Sequence, residues 1–100
     1  MEKYDSNVGL HLNEKGHGHF YIRDGEELIA EMVINISGNE LTVHHTEVLP
    51  NGEGKGLGKK LLEAMADYAR KNSLKVIALC PFVYAQFLRH PEEYRDIWKK

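Results

Sequence analysis

A glycine- and lysine-rich segment at residues 50–60 is the part of the chain whose composition points most directly to ligand chemistry. It reads PNGEGKGLGKK and leads into a strongly amphipathic helical pattern. Alternate glycines permit positive φ, so successive backbone N–H groups can face an anion, and a helix start adds partial positive charge. A plain turn is the alternative, because Asn51-Gly52 is itself a common turn pair. The segment therefore predicts a phosphate site or a simple turn.

This loop differs from two familiar nucleotide motifs. A Walker loop needs Lys followed by Ser or Thr, whereas Lys55 precedes Gly56 and Lys59 precedes Lys60. The dinucleotide fingerprint also needs a downstream acidic residue that closes a strand, and the sequence has no match to it. A phosphate site here would belong to a different kind of fold.

Cys80, the single cysteine, lies between a short apolar run and Pro81. Pro81 can open a helix, and the carboxyl end of a strand is where open α/β sheets bind ligands. A helix N-terminus beside the thiol favours the reactive thiolate. The alternative is a small buried hydrophobic residue, because free cysteine is among the most buried residue types.

Three further side chains are candidates for acid–base chemistry. His45 and Glu47 share one strand face just before the glycine loop, so either is a candidate general base. Each, taken singly, also fits a structural histidine or a surface charge. Tyr84 follows Cys80 in a predicted helix, and its hydroxyl can donate a proton near a thiol, although aromatic residues at such positions are more often core.

The histidines do not predict a metal site. His44 and His45 are adjacent in a predicted strand, so their side chains should point to opposite faces. His17 and His19 should project to one side, but no carboxylate or cysteine at a recognisable spacing completes a zinc site.

The elements that must position these residues change character halfway along the chain. Period-two alternation predicts strands around Phe20 and Ile22, then a long strand with Leu28, Ala30, Met32, Ile34 and Ile36 on one face, and a further strand at residues 41–43. Turns at residues 24–25 and 37–39 join them into an antiparallel meander, and residues 8–12 add a first strand that turns at residues 14–16.

The second half predicts a strand–helix–strand unit. Helical spacing begins at Leu57 and ends near Asn72-Ser73, and residues 74–79 form a short buried strand. The two strands should be parallel with a right-handed crossover. A second helix runs from Pro81 to about Arg89, and a last helical turn ends near Trp98. The predicted fold class is therefore α/β with a mixed sheet.

Length and charge limit the function. One hundred residues fit a single domain, residues 1–100, with residues 1–7 expected to fray. The chain has 13 basic and 15 acidic residues, which argues against nucleic-acid or membrane-surface binding. One cysteine and no long apolar run or leader predict a cytoplasmic protein. The protein is expected to be a monomer or a weak homodimer, for which exposed aromatic residues near the C-terminus could serve.

Three segments together resemble the small single-domain GNAT-like N-acetyltransferases: HTEV at residues 45–48, EGKGLGKKL at 53–61 and LCPFV at 79–83. The order of elements agrees, and the resemblance covers about residues 20–98. It implies a GNAT-like fold with splayed parallel strands and a C-terminal helix, and acetyl-CoA or coenzyme A as cofactor. It also implies transfer of acetyl to an unidentified amine, on a small molecule or a protein.

The resemblance assigns roles within the glycine loop. The family pattern is Gln or Arg, two residues, Gly, one residue, then Gly or Ala, and Glu53, Gly56 and Gly58 occupy those positions. Glu53 departs from it and places a negative charge near a diphosphate, for which Lys55 and Lys59 compensate. Cofactor binding is thereby assigned to Val48, Glu53, Gly54, Lys55, Gly56, Leu57, Gly58 and Lys59.

The resemblance leaves the mechanism open. Acetyl passes directly to an amine deprotonated by His45 or Glu47, with Tyr84 as acid, or it passes first to Cys80, which lies near the thioester in such folds. Larger members carry extra N-terminal helices between their first two strands, for which this chain has no room, so the acceptor pocket should be open or unusual. A non-catalytic coenzyme A or acyl-CoA sensor is the main alternative, and an interaction domain without a ligand is a third.

Overall fold

The computed structural model describes residues 8–100, so the predicted fraying of residues 1–7 lies outside the described range. The elements are β1 (Gly9–Leu12), β2 (His17–Asp24), β3 (Glu27–Ser37), β4 (Glu40–Val48), a 3-10 turn (Pro50–Gly52), α1 (Leu57–Lys71), β5 (Lys75–Ala78), α2 (Pro81–Arg89) and α3 (Pro91–Tyr94). Within residues 8–100, no helix is long and apolar enough to cross a membrane.

The strands form one sheet in the order β1-β2-β3-β4-β5. The first four are antiparallel to their neighbours, whereas β4 and β5 are parallel. Gly25 and Gly38 adopt positive φ at the two predicted hairpin turns, with φ of 66° and 60°. The predicted mixed α/β sheet, its meander and its parallel strand–helix–strand unit are therefore confirmed.

The core lies between one face of the sheet and the helices. Apolar residues of the strands, including Met32 at 0% exposure, pack against the buried stripe of α1. That stripe has the helical spacing seen in the sequence and comprises Leu57, Leu61, Leu62, Met65, Ala66 and Ala69. The amphipathic helix thus covers the sheet where the alternating strands present their apolar side.

The other face of the sheet, termed here the open face, is polar. Its side chains include His19, Tyr21, Glu31, Val33, His45 and Glu47, as the cross-strand pairs show. None of these six residues belongs to the buried core, and no helix described at residues 8–100 packs over them. Antiparallel sheets commonly have one such solvated face.

A bulge in β3 corrects one sequence prediction. Leu28 was expected to share a face with Ala30, but the register shifts between Ile22 and Arg23, so Leu28 pairs with Arg23. Ile29 is the residue that is buried, at 5% exposure, and Leu28 is half-buried. An extra residue in one strand reverses the inside–outside alternation beyond it.

A second bulge lies at His44 in β4. Val33 pairs with His45 and Ile34 pairs with Val43, so His44 has no partner of its own in the ladder. The expectation that His44 and His45 point to opposite faces is therefore wrong. His44 contacts Asn35 and His45 pairs with Val33, and both of these β3 residues lie on the open face.

The C-terminal segment closes the outer edge of β5. Val76 N–H donates to Ile97 O at 2.6 Å, and Lys99 N–H donates to Val76 O at 2.9 Å. Phe87 of α2 stacks on Tyr94 with ring centroids 5.0 Å apart. These contacts hold α2 and α3 on the helical side of the sheet.

Candidate active site

β4 and β5 separate beyond Val43, which leaves a gap between two parallel strands. Their ladder ends at the pair Val43 and Ala78. Leu79 N–H and Cys80 N–H both donate to Val43 O, at 3.1 and 3.0 Å, so the two strands are still joined at that point. β5 then turns into α2 while β4 continues to Val48. This gap, bounded by residues 44–48 and 79–80, is termed the wedge.

The bulge at His44 decides which backbone groups of β4 face the wedge. Val43 O points toward β5, whereas Leu49 N–H donates to Ile29 O of β3 at 2.9 Å. Because successive residues of a strand alternate, the backbone groups of Thr46 and Val48 face the wedge. The sequence prediction singled out Val48 but missed Thr46, since no sequence signal marks the bulge.

The start of α1 has the features of an anion cradle. Gly54 and Gly56 adopt φ of 81° and 69°, and Gly56 is the N-cap without a side-chain cap. Lys60 N–H donates to Gly56 O, so the N–H groups of residues 57–59 have no intrahelical acceptor. A Cβ added at Gly54 or Gly56 would meet nothing within 4 Å. These free donors and the open space in front of them fit a phosphate group.

Two other glycines hold the loop in place. A Cβ on Gly52 would lie 2.9 Å from Ile29 O, so this part of the loop packs closely against β3. A Cβ on Gly58 would lie 3.2 Å from Phe82 Cζ. The starts of α1 and α2 therefore pack closely against each other at this glycine. The sequence predicts that Gly58 contacts the cofactor, and what the structure shows at Gly58 is close packing against Phe82.

The remaining loop side chains divide by exposure. Glu53, Lys55 and Lys59 are exposed, so the two ammonium groups can approach an anion from solvent. Leu57 is buried at 5% exposure, so its side chain belongs to the core and its N–H group is what it offers a ligand.

Cys80 and Thr46 meet between the two strands. Cys80 is the N-cap of α2 and is 2% exposed. Its Sγ donates a hydrogen bond to Thr46 Oγ1 at 3.3 Å. The thiol therefore lies on the inner wall of the wedge with an acceptor for its proton.

His45 and Glu47 are brought together on the open face. His45 Nε2 lies 3.6 Å from Glu47 Oε1, and the side chains are 58% and 49% exposed. They flank Thr46, whose backbone faces the wedge. An imidazole beside a carboxylate at this position can accept a proton from a group that enters from the open face.

The ring of Tyr84 is directed away from His45 and Glu47. Its ring is 48% exposed and packs edge-to-face on Trp98 with centroids 5.8 Å apart. It lines a shallow cavity at the outer edge of β5 with Ile77 and Leu88. The structure thus places Tyr84 on the side of β5 away from His45 and Glu47.

Among residues 8–100, no group of three or more His, Cys, Asp or Glu side chains is arranged to hold a metal ion. His19 Nδ1 instead lies 2.8 Å from Glu31 Oε1 and so has a local partner.

Residues 19–97 match the profile of the GCN5-related N-acetyl-transferase family. No curated protein sequence matches the chain significantly. The family match includes β4, β5 and Cys80, which border the wedge, and the glycine loop and α1, which form the anion cradle.

Solved structures show the same fold. The chain is 36% identical to a GCN5-like protein of Staphylococcus aureus, with a TM-score of 0.66, covering 94% of this chain and 90% of that one. It is 24% identical to the ribosomal-protein-S18-alanine N-acetyltransferase of Escherichia coli, with a TM-score of 0.57, covering 74% and 45%. It is 20% identical to the ribosomal-protein-alanine N-acetyltransferase of Brucella melitensis biovar Abortus 2308, with a TM-score of 0.61, covering 87% and 64%. The chain thus spans less than two thirds of the latter two proteins, and these two likenesses concern the fold.

Proposed function

Because the chain belongs to the GCN5-related N-acetyltransferase family, we propose that it transfers the acetyl group of acetyl-CoA to an amine. The observation that carries this proposal is the uncapped start of α1, with its positive-φ glycines, next to the wedge between β4 and β5. A cradle of free N–H groups beside a gap lined by strand backbone suits a ligand with a diphosphate and an extended amide arm.

The residues that would hold coenzyme A fall into two groups. The N–H groups of residues 57–59, with Lys55 and Lys59, bind the diphosphate, and the backbone of Thr46 and Val48 binds the arm. When bound, acetyl-CoA supplies an acetyl group activated as a thioester. The N–H donors in the wedge suit a polarised carbonyl oxygen, and one such donor is worth ~3 kcal/mol in a barrier.

His45 takes the proton from the acceptor amine in this proposal. An imidazole changes protonation near neutral pH, which makes it a more effective base there than an exposed carboxylate. Glu47, 3.6 Å away, stabilises the imidazolium that forms. Both side chains are exposed on the open face, so the amine approaches from that side.

The geometry favours direct transfer over a route through Cys80. The thiol is 2% exposed, and its proton is directed to Thr46 Oγ1. A nucleophilic thiolate needs access and a base that takes its proton, and Thr46 is not a base; the start of α2 offers partial positive charge, but to a thiol that is buried. Cys80 then shapes the wall of the wedge. Tyr84 has no role in this scheme because it packs on Trp98.

A coenzyme A sensor without catalysis is the second candidate. Two observations favour it: Glu53 is an exposed acid in the loop, and no helix described at residues 8–100 covers the open face. Such a sensor would bind the cofactor but would not release thiol faster when amines are added.

The test is calorimetric titration of acetyl-CoA into wild type, Gly56→Glu and Gly25→Glu, followed by thiol release with a panel of amines. Both glycines have positive φ, and a Cβ added at either would meet nothing within 4 Å, so the two substitutions carry matched backbone strain. We expect Gly56→Glu to abolish binding and Gly25→Glu to retain it. Absence of binding to wild type would remove both candidates, and binding without amine-dependent thiol release would leave the sensor.

Three further parts of the proposal concern the protein as a whole. We infer that residues 1–100 act as one domain, in the cytoplasm, as a monomer or weak homodimer. The single cysteine supports the cytoplasm, and the near balance of 13 basic and 15 acidic residues favours a small-molecule or protein amine over nucleic acid or a membrane as partner.

A further inference from the structure

We propose that the acceptor is an amphipathic monoamine, a primary ammonium with one apolar substituent, bound where the wedge reaches the open face. This inference rests on the proposed acetyl transfer and names its substrate class. Two lips with different chemistry border the site. The lip on β3 and β4 carries carboxylates and imidazoles, and the lip on β5 carries an exposed leucine.

The polar lip contains a like-charge pair. Glu31 of β3 and Glu47 of β4 are direct cross-strand partners, and two carboxylates in that arrangement repel each other. Each has one histidine nearby, with His19 Nδ1 at 2.8 Å from Glu31 and His45 Nε2 at 3.6 Å from Glu47. An ammonium placed between the two carboxylates offsets their repulsion, and it lies beside the imidazole that takes its proton.

The apolar lip is Leu79. It is 61% exposed, the most exposed large hydrophobic side chain among the described residues. Ile77 pairs with Thr42 on the open face, and Leu79 lies two residues further on the same side of the strand. Leu79 N–H donates to Val43 O, two residues before His45, which places the leucine across the wedge from the polar lip.

Because one lip is acidic and the other is apolar, the site favours a ligand that has one cationic group and an apolar substituent. The substituent of a bound monoamine covers Leu79 and removes apolar surface from water. A diamine of the same length would place its second ammonium beside Leu79, where it covers less apolar surface than a methyl end and gains no charged partner. A peptide with an apolar first residue presents the same chemistry as a free alkylamine, and leucinamide is its probe.

Binding is tested first, by following the Leu79 methyl and His45 ring resonances while hexylamine, leucinamide or 1,6-diaminohexane is added to the coenzyme A-saturated protein. We expect both monoamines to shift these resonances at lower concentration than the diamine. A preference for leucinamide over hexylamine would identify the polypeptide source. Equal or stronger perturbation by the diamine would overturn the inference.

Leu79→Gln supplies the second test, with Leu88→Gln as its matched control because Leu88 is 56% exposed but lies on α2 at the outer edge of β5. We expect Leu79→Gln to raise the apparent Kd of hexylamine roughly tenfold and to leave that of 1,6-diaminohexane nearly unchanged. Leu88→Gln should change neither value. An unchanged hexylamine Kd in Leu79→Gln would contradict the inference.

Glu31→Gln tests the polar lip, with the exposed Glu27→Gln on the same strand as control. We expect Glu31→Gln to weaken every amine about tenfold, whereas Glu27→Gln has no effect. Because these readouts are binding constants, they separate two failures. Selective binding of hexylamine without acetylation would refute the transferase proposal alone, and acetylation without that selectivity would refute the acceptor class alone.

Discussion

The Cys80 thiol donates a hydrogen bond to Thr46 Oγ1 across the wedge, with Sγ and Oγ1 3.3 Å apart. This contact joins the end of β5 to the part of β4 that follows the bulge. It depends on the bulge at His44, since the added residue directs the Thr46 side chain toward the core face. One extra residue therefore brings Thr46 to Cys80 and turns the Thr46 backbone into the wedge.

Replacement of Cys80 should distinguish direct from covalent transfer. We expect Cys80→Ala to keep kcat within about threefold of wild type, because direct transfer needs no thiol. Stability should fall by ~1 kcal/mol from the small cavity and the lost hydrogen bond. Steady-state kinetics and urea unfolding measure these quantities. A loss of turnover of about 100-fold or more in Cys80→Ala that still binds acetyl-CoA would support the covalent route.

His45→Gln should lower kcat about 100-fold with little change in acetyl-CoA affinity, because the proposed general base is removed and the wedge is kept. His44→Gln is the matched control: His44 is the neighbouring histidine, it is exposed, and its ring contacts Asn35. Turnover of His44→Gln should stay near that of wild type. Equal losses in both variants would show a general effect of the bulge and would remove His45 as the base.

Alkaline pH should destabilise the protein through Tyr94. Burial, with Glu93 and Glu63 nearby, raises the pKa of Tyr94 to about 12, from 10.0 for an ordinary tyrosine. The neutral phenol is thus favoured in the folded state, and its contribution to stability is complete below about pH 10 and is lost as pH rises to about 12. The loss is at most about 3 kcal/mol.

Urea unfolding between about pH 9 and 12 measures this contribution. We expect Tyr94→Phe to remove that part of the pH dependence, and Tyr84→Phe, whose ring is 48% exposed, to leave it unchanged. Lysine titration affects all three proteins alike, so the difference between variants isolates Tyr94. A wild-type slope that persists in Tyr94→Phe would contradict the assignment.

Much of the fold could be predicted from the sequence because its signals are local. Alternating apolar residues, glycine turns and the helical stripe from Leu57 each depend on neighbours along the chain, and the elements from β1 to α2 are confirmed. The last helical turn was expected to end near Trp98, but α3 ends at Tyr94 and Trp98 pairs with Val76 instead. The bulges at Ile29 and His44 depend instead on how two strands pair. No local pattern marks such a register shift, so the faces assigned to Leu28 and His44 were wrong.

The candidate site was predictable to the same extent. The glycine loop is contiguous in sequence, and its free N–H groups at α1 follow from where the helix begins. Cys80 and Thr46 lie 34 positions apart in the sequence. Their contact requires the bulge, so Thr46 could not be recognised from the sequence as the partner of Cys80. Tyr84 was assigned near the thiol from sequence proximity to Cys80, but the helix turns its ring to Trp98.

Gly16 and Gly25 should respond very differently to alanine although both have positive φ. At Gly16, with φ of 84°, an added Cβ would lie 2.3 Å from Ile36 O, a backbone atom of the adjacent strand. At Gly25, with φ of 66°, it would meet nothing within 4 Å. Gly25→Ala should therefore cost ~1 kcal/mol, the usual strain of a left-handed residue.

Gly16→Ala carries the same strain and a clash that only a shift of the backbone can relieve. The clash also threatens the hydrogen bond from Ile36 N–H to Gly16 O, which is 2.7 Å long and ties the turn to β3. We expect a cost of about 3 kcal/mol or more, comparable to a severe core substitution, measured by urea unfolding. Equal destabilisation of the two variants would mean that the β1–β2 turn does not approach Ile36 as closely as described.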